Sequence, residues 1–465
     1  MHCDRRQFLK HSIGAALGGA SLCGPLGNLS LISSAAAAGA PSFSDYRALI
    51  CVFLYGGNDS FNTVVPMDTN GQASAAYAAY AAQRGALAIP QNQLIPLMTA
   101  QGGGASDGEA YGLHNAMPGV AQLFNAGKAA IVSNVGTLLY PTTKSDLGNL
   151  QKLPPQLYAH NDQQKYWQTS RPDDNSAPGW GGRIADLLYA GNPNQQVPFT
   201  FSVAEEAILQ RGATISQYVT GANGVTQIGF AANPGDPALA VFDNLRAKGT
   251  QTHMLQRAYA GAVDHTIQTY NAMAGALAVA PTFSGFPSTY NGAKMQTIAR
   301  LLATSGVLDV RRQVFYVSCG GYDTHDDQVN QQSALLSELS QCLKALYDAT
   351  VQMGIADKVT IFTCSDFGRT LTVNGDGTDH GWGGHHFVLG GAVNGGRFYG
   401  TMPSLVAGSS DDAGWGQIIP TTAVDQYAAS LANWFGVDAA GLATIFPNLS
   451  RFPGLLQNSG LPLVG

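Results

Sequence analysis

Carboxylate and imidazole side chains collect in four short segments of the sequence, each beside a run of apolar residues. The candidate ligands in these segments are Asp59, Asp323, His325, Asp366, His380 and His385. Carboxylate oxygen and neutral imidazole nitrogen together suit a divalent ion, with Zn²⁺ or Mn²⁺ favoured and Ca²⁺ as the alternative. Two such ions would hold a phosphoryl or sulfuryl oxygen and lower the pKa of a bound water or hydroxyl nucleophile.

Apolar runs with the composition of buried strands adjoin these segments. They span residues 47–55, 128–135, 312–319, 358–364 and 387–389. Helical patterns stand between or beside the runs, for example over 295–305 and over 333–353, where leucines recur at helical spacing. This order predicts an α/β fold with a doubly wound, mostly parallel sheet flanked by helices. Ligands bind beyond the carboxyl ends of the strands in such sheets, so we expect the candidate side chains to meet at one edge.

Residues 190–295 differ in composition from the rest of the chain. They are rich in Ala, Gln and Gly and carry one long helical pattern over 238–278. No linker-like composition marks the ends of this segment, so we interpret it as a helical insertion that covers the sheet. The sequence therefore predicts a single domain over residues 41–465.

The first forty residues have the features of an export signal. Arg5 and Arg6 precede Phe8–Lys10, a weakly apolar stretch follows, and small residues run over 33–38. This resembles a twin-arginine signal peptide with cleavage near residue 38 or 40. The resemblance implies a periplasmic or extracellular protein, with the twin-arginine translocase as its partner during export.

The overall charge of the chain restricts its partners. Only 12% of the 465 residues are charged, about half the roughly 25% of an ordinary soluble domain. Lys and Arg number 24 against 30 Asp and Glu, a net charge of −6, which argues against nucleic acid as a partner. No stretch approaches the ~20 uninterrupted apolar residues of a membrane span, so we expect none in the mature protein.

Four motifs carry a resemblance to a known family. They are LYGGNDSFN from Leu54, GGYDTH from Gly320, SDFGRT from Ser365 and NGDGTDHGWG from Asn374. Together they resemble the DUF1501 family of exported proteins, which is similar to the alkaline phosphatase and sulfatase superfamily. That resemblance implies an alkaline phosphatase-like fold with metal-binding Asp and His at strand ends. Carried over by position, it implies Asp59 as the first-strand ligand, Asp323 and His325 as a middle pair, Asp366 as the later aspartate, and His380 or His385 as the last histidine.

The sequence departs from the superfamily pattern at two positions. Phe367 follows Asp366 where the superfamily usually has His, so a second metal ion would lose an expected ligand. Many DUF1501 sequences contain Ser-His in the stretch comparable to residues 157–164, where this chain has Ala159 before His160. With that alignment, Ala159 stands where a nucleophilic hydroxyl is expected, and no covalent intermediate could form there.

The candidate catalytic residues are His160, Asp162 and Arg369. His160 and Asp162 could bind a metal or activate water in place of the missing hydroxyl. Arg369 lies three residues after Asp366 and could donate two hydrogen bonds to a sulfate or phosphate, or else pair with a carboxylate of the site. Arg183 is the second basic candidate for an anionic substrate.

Two functions are consistent with these residues. The first is an exported, metal-dependent hydrolase of phosphate or sulfate esters that acts on a small anionic, sulfated or phosphorylated substrate. The alternative is a periplasmic binding or assembly protein that keeps a hydrolase-like fold without turnover, which Ala159 and Phe367 favour. Metal content and ester hydrolysis distinguish the two functions.

Overall fold

A computed structural model describes residues 41–69, 72–225, 235–247 and 252–465 of the protein. The strands, numbered along the chain, are β1 (Arg47–Leu54), β2 (Val64–Met67), β3 (Leu94–Pro96), β4 (Ala110–His114), β5 (Ala129–Gly136), β6 (Thr200–Ser202), β7 (Tyr218–Val219), β8 (Arg312–Cys319), β9 (Val359–Ser365), β10 (Arg369–Val373), β11 (Thr378–His380), β12 (Gly384–Gly390), β13 (Phe398–Tyr399), β14 (Thr422–Ala423), β15 (Gln457–Asn458) and β16 (Leu461–Pro462). The α-helices are α1 (Ala75–Arg84), α2 (Pro118–Asn125), α3 (His160–Thr169), α4 (Trp180–Leu188), α5 (Pro237–Arg246), α6 (Met254–Ala278), α7 (Tyr290–Ala303), α8 (Gln328–Gln352), α9 (Val424–Phe435) and α10 (Ala439–Ile445).

The central sheet has the strand order β13-β5-β12-β9-β1-β8-β6-β7, with β14 also paired to β5. β1 lies between β8 and β9 and is parallel to both. β12 is antiparallel to its two neighbours, β5 and β9, whereas the other pairs in this sheet are parallel. The sheet is therefore mixed but mostly parallel.

Helices cover both faces of the sheet because the central strands are apolar on both faces. Alternate residues of β1 point to opposite sides: Ile50 and Val52 join the core under α2, α6, α7 and α8, whereas Cys51 and Phe53 join the core under α3, α4, α9 and α10. This two-sided burial explains the near-continuous apolar runs in the sequence. The predicted fold class, a doubly wound and mostly parallel α/β sheet, is confirmed.

Three details of the elements differ from the sequence prediction. The strand predicted over 387–389 begins at Gly384, so His385 and His386 lie inside it. The helical pattern over 238–278 forms two helices, α5 and α6. The segment predicted as a helical insertion also supplies β6 and β7 to the sheet, where β6 pairs with β8.

The carboxyl ends of the three central strands lie at one level. In the register of the sheet, Leu54 at the end of β1 is opposite both Cys319 and Ser365, the last residues of β8 and β9. The segments that follow these strands contain Asp59, Asp323 and Asp366. The sheet therefore delivers all three carboxylates to the same edge, as the sequence predicts.

No helix in the described ranges combines the length and the apolar character needed to cross a membrane. The predicted signal peptide, residues 1–40, lies outside the described residues.

Candidate metal centre

Three histidines and one aspartate converge at the carboxyl edge of the sheet. His380 Nε2 lies 3.1 Å from His160 Nε2 and 3.0 Å from His325 Nε2. Asp323 Oδ1 lies 3.2 Å from His380 Nε2 and 3.1 Å from His325 Nε2. His160, Asp323 and His380 form the tightest group, with ligand atoms within 4.8 Å of one another, and His325 lies beside it. We call these four residues the histidine cluster.

Each imidazole of the histidine cluster is held from behind through its Nδ1 atom. His160 Nδ1 lies 2.6 Å from Asp366 Oδ2, and His325 Nδ1 lies 3.1 Å from Asp379 Oδ1. His380 Nδ1 lies 2.8 Å from the backbone carbonyl oxygen of Tyr158. Carboxylates and carbonyls accept hydrogen bonds, so each Nδ1 is the donor. In metal-binding proteins, hydrogen-bond acceptors on Nδ1 orient the ligating histidines in this way.

The hydrogen-bond pattern leaves unshared electron pairs facing one another. A neutral imidazole with a proton on Nδ1 has none on Nε2, so the three Nε2 atoms of the histidine cluster are acceptors. At separations of 3.0 and 3.1 Å these lone pairs repel one another unless a metal cation or a shared proton lies between them. The carboxylate of Asp323 adds a further negative group. The donor set therefore fits a divalent metal ion.

The folding of two loops places these side chains. His160 is the first residue of α3, and the preceding turn has Gln156 and Tyr158 at positive φ, which aims the Tyr158 carbonyl at His380. The hairpin of β10 and β11 pairs Arg369 with His380 and so brings that histidine back over the ends of β8 and β9. Residues far apart in sequence thus meet at one point.

Arg369 supports the histidine cluster from beneath. Its side chain is fully buried and donates to Asp323 Oδ1 at 2.6 Å, to the Gly56 carbonyl at 3.3 Å and to both oxygens of Thr378. These contacts engage all three guanidinium nitrogens. Arg369 is thus the ion-pair partner of Asp323. Of the two roles that the sequence left open for Arg369, this is the pairing with a carboxylate and not the binding of an anionic substrate. Arg183, likewise buried, donates to the carbonyls of Pro178, Thr169 and Ile445.

The surroundings shift the pKa values of the cluster in different directions. The hydrogen bond to Asp366 raises the pKa of His160, although burial offsets part of this effect. Burial lowers the pKa of His380. Burial alone would raise the pKa of Asp323, but the hydrogen bond and charge of Arg369 outweigh it and lower that pKa. Asp323 is therefore ionised and His380 is neutral at neutral pH, the forms that bind metal.

Phe367 forms an apolar wall against two of the histidines. Its ring centroid lies 4.9 Å from that of His160 and 4.7 Å from that of His380. A side chain at Gly57 would collide with this ring, because a Cβ there would lie 2.6 Å from two ring carbons. Gly57 also has a φ of +86°, which favours glycine. The turn after β1 thus makes room for Phe367.

The structure does not bring Asp59 into the histidine cluster. Its buried carboxylate pairs with Arg84, at 2.5 and 2.7 Å, and accepts a further hydrogen bond from Gln328. Asp366 also differs from the role that the resemblance implies, since it orients His160 instead of joining the group of converging ligand atoms. The sequence contains no local signal that Arg84 returns to Asp59.

His385 and Asp162 also lie apart from the cluster. His385 is buried inside β12, where its Nδ1 accepts a hydrogen bond from the Asn134 amide, and burial lowers its pKa to about 3. Among the described residues, the Asp162 carboxylate has no contact with the cluster; it lies in the first turn of α3. Gln164, which the sequence reasoning missed, donates to Asp366 Oδ2 at 2.8 Å. Its position four residues after His160, on the same helix face, is the signal that could have identified it.

Comparisons with solved structures find distant similarity. The PsFucS1 sulfatase from Pseudoalteromonas sp. has a TM-score of 0.37 and 9% identity, over 94% of this chain and 77% of that chain. The C-terminal periplasmic domain of EcEptC from Escherichia coli, in complex with Zn, has a TM-score of 0.35 and 11% identity, over 91% and 98%. The lipoteichoic acid synthase LtaP from Listeria monocytogenes has a TM-score of 0.34 and 8% identity, over 88% and 78%.

No curated protein matches the chain in sequence. A family model does match, over residues 46–413, and its description is a protein of unknown function, DUF1501. The match covers most of the chain, including all four motifs and every residue of the histidine cluster. The chain therefore belongs to the DUF1501 family, as its motifs predict.

Proposed function

We propose that this protein is an exported, metal-dependent hydrolase of phosphate or sulfate esters. The observation that carries the proposal is the convergence of three imidazoles, each with Nδ1 held by an acceptor and Nε2 turned toward the others. Proteins build this arrangement to hold a metal ion. The side chains of the histidine cluster are between 26% and 45% exposed, so a small ester can reach them.

The donor set indicates which ion the histidine cluster would hold. Imidazole nitrogen suits Zn²⁺ and Mn²⁺, whereas Ca²⁺ takes oxygen ligands almost entirely. Three histidines and one aspartate therefore favour Zn²⁺ or Mn²⁺ over Ca²⁺. A bound ion of this kind polarises an ester oxygen and lowers the pKa of water.

The protein's own groups would then do three things. His160, His325 and His380 present unprotonated nitrogens, while Asp366, Asp379 and the Tyr158 carbonyl keep those imidazoles in place. Arg369 keeps Asp323 ionised. Phe367 excludes water from one side of the imidazoles.

Metal analysis and ester hydrolysis test the proposal together. Protein purified directly from the periplasm should contain Zn or Mn, and it should hydrolyse p-nitrophenyl phosphate or p-nitrophenyl sulfate in a reaction that a chelator stops. His380→Ala should lose both the metal and the activity. The control is His265→Ala, on α6 outside the histidine cluster. Wild-type protein without bound metal would refute the proposal.

One observation favours the second candidate, a metal-binding protein without turnover. Ala159 is the N-cap residue of α3 and offers no hydroxyl beside His160. Full metal content with no hydrolysis of a broad panel of esters would support this candidate. Ala159→Ser then tests the reason: a gain of hydrolysis, or a phosphorylated serine detected by mass spectrometry, would show that only the nucleophile is missing.

A further inference from the structure

We infer that the histidine cluster holds a single divalent ion and that the Arg84 guanidinium takes the place of a second divalent ion beside Asp59. This inference rests on the metal site of the proposed function. The resemblance to a superfamily with several metal ligands implies a place for a second ion near Asp59 and Asp366. The side chains around those two carboxylates do not fit such an ion.

Every position around the Asp59 carboxylate is taken by the protein itself. Arg84 donates from Nη1 to Oδ2 at 2.5 Å and from Nη2 to Oδ1 at 2.7 Å. The backbone amides of Phe61 and Asn62 donate to Oδ1, at 3.1 and 3.2 Å, and Gln328 donates to Oδ2. A carboxylate offers about four lone-pair sites, so no site remains for a metal.

The packing of α1 holds Arg84 in this arrangement. Arg84 is the last residue of α1, which packs on β2 and β10, and its side chain has no solvent exposure. A bidentate pair between guanidinium and carboxylate is among the strongest ionic contacts in proteins. Because both partners are buried, removing either one leaves an uncompensated charge, which costs roughly 3–5 kcal/mol.

The second carboxylate offers too few donors for another ion. Asp366 Oδ2 accepts from His160, Gln164 and the Gly56 amide. Asp366 Oδ1 is buried and has no hydrogen-bond partner among the described residues. The next residue, Phe367, contributes a hydrocarbon ring in place of a ligand. One free oxygen does not make a metal site.

The charge balance at this edge also fits one ion. Asp59, Asp323 and Asp366 carry three negative charges, and the buried Arg84 and Arg369 carry two positive ones. With neutral histidines, one divalent ion changes the net charge from −1 to +1, whereas two ions would raise it to +3. A surplus of that size is unfavourable beside the fully buried side chains of Asp59, Arg84, Asp366 and Arg369. The exposed Asp379 beside His325 brings the one-ion state to neutrality.

Native mass spectrometry and elemental analysis of the mature protein test this inference directly. We expect one Zn²⁺ or Mn²⁺ per chain. Asp59→Asn should keep that ion, because Asp59 is not a ligand of it. Two ions in the wild-type protein, or loss of the ion in Asp59→Asn protein that circular dichroism shows to be folded, would overturn the inference. An absence of any ion would instead refute the proposed function, so the two failures are distinguishable.

Arg84→Met tests whether the guanidinium replaces a cation. This variant leaves the buried Asp59 without its cationic partner, so the melting temperature should fall and should recover in millimolar Mn²⁺, with a second ion in the mass spectrum. Arg84→Lys should remain at one ion. The matched control is Arg183→Met. Arg183 is also a buried arginine, but it donates to three carbonyls, so added metal should not restore the stability that this variant loses. Equal recovery of the two methionine variants would contradict the assignment.

Arg84→Met combined with Asp59→Asn keeps the test decisive if Arg84→Met does not fold. The double variant removes both charges of the pair, and we expect it to fold and bind one ion. A second ion bound by the double variant would show that Arg84 does not determine the stoichiometry, and the inference would be wrong.

Discussion

The Asp366 carboxylate links three separate parts of the chain. It accepts hydrogen bonds from His160, from Gln164 one helical turn later, and from the Gly56 amide after β1. Its bond to His160 fixes the proton on Nδ1 and leaves Nε2 free for a metal. Asp366 is therefore best described as a positioning residue for His160.

We predict that Asp366→Asn weakens Zn²⁺ affinity by about 10–100-fold, the usual effect of losing a group that orients a metal ligand. Titration against a chelating dye measures this affinity. Asp425→Asn is the control, because Asp425 is also a buried aspartate but does not contact the histidine cluster. Equal loss of affinity in the two variants would indicate general destabilisation instead of positioning.

Asp425 gives a prediction about pH and stability. Burial raises the pKa of this carboxyl from 3.8 to about 7, and the nearby Arg183 offsets burial only in part. Between these values the unfolded chain releases a proton that the folded protein retains, so the free energy of unfolding falls as pH rises from about 4 to about 7. Asp425→Asn cannot ionise and should avoid this loss.

Urea unfolding at about pH 5 and about pH 8 measures the effect. We expect the stability of Asp425→Asn relative to the wild type to be higher at the upper pH. A difference between the two proteins that does not change with pH would show that Asp425 titrates normally in the folded state.

The turn after β1 determines how the imidazoles of His160 and His380 pack. Gly57 lies against the ring of Phe367, and that ring in turn lies against His160 and His380. The positive φ of Gly57 and the lack of space at its Cβ act together. A change in this turn should therefore affect the histidine cluster without altering any of its four residues.

We predict that Gly57→Ala lowers both stability and metal affinity. The matched control is Gly354→Ala, because Gly354 also has a positive φ but no atom within 4 Å of its added Cβ. The control should lose roughly 1–2 kcal/mol from backbone strain and keep its metal affinity. Gly57→Ala should lose more, because the alanine also displaces Phe367. Urea unfolding and dye competition measure the two quantities, and unchanged metal affinity in Gly57→Ala would contradict the role of this turn.

The histidine cluster joins distant parts of the chain. His160 begins α3, Asp323 follows β8, and His380 ends β11. An ion that binds the folded chain and not the unfolded one adds to stability by mass action, by about 2.7 kcal/mol when free metal is ~100-fold above its Kd.

We therefore predict that EDTA lowers the melting temperature of the protein and that added Zn²⁺ or Mn²⁺ restores it. Calorimetry on the mature protein checks the effect. His380→Ala should melt at the same temperature with or without EDTA. An EDTA effect of equal size in that variant would place the stabilising metal elsewhere.

The twin-arginine export that we propose concerns the whole chain, and it gives a further prediction. Replacing Arg5 and Arg6 together by Lys should leave the precursor in the cytoplasm, because the paired arginines are the feature that the translocase reads. Fractionation and mass measurement of the protein detect this. His11→Gln, in the same segment, should be exported and cleaved normally. Normal export of the double lysine variant would contradict a twin-arginine signal.

The apolar runs and the four motifs were enough to predict the five longest strands of the central sheet, the fold class and the family. Near-continuous apolar runs predict strands covered on both faces, and the central strands of the structure match them within one residue at either end, except for the last one. The strand around residue 387 is longer than predicted because Gly384 to His386 are polar or small and carry no strand signal. His385 therefore lies inside the sheet and not at its edge.

The sequence did not predict which of the carboxylate and imidazole side chains contact one another; this depends on the tertiary structure. A position after a strand end fixes the edge on which a side chain lies, but not its partner, because the partner comes from elsewhere in the chain. Arg84, at the end of α1, pairs with Asp59, whereas His160, at the start of α3, contacts Asp366. The sequence therefore identified one edge rich in carboxylates and imidazoles. Long-range packing then assigned some of them to ion pairs and others to the histidine cluster, because buried charges and hydrogen-bond donors must be satisfied by whichever groups the fold brings near.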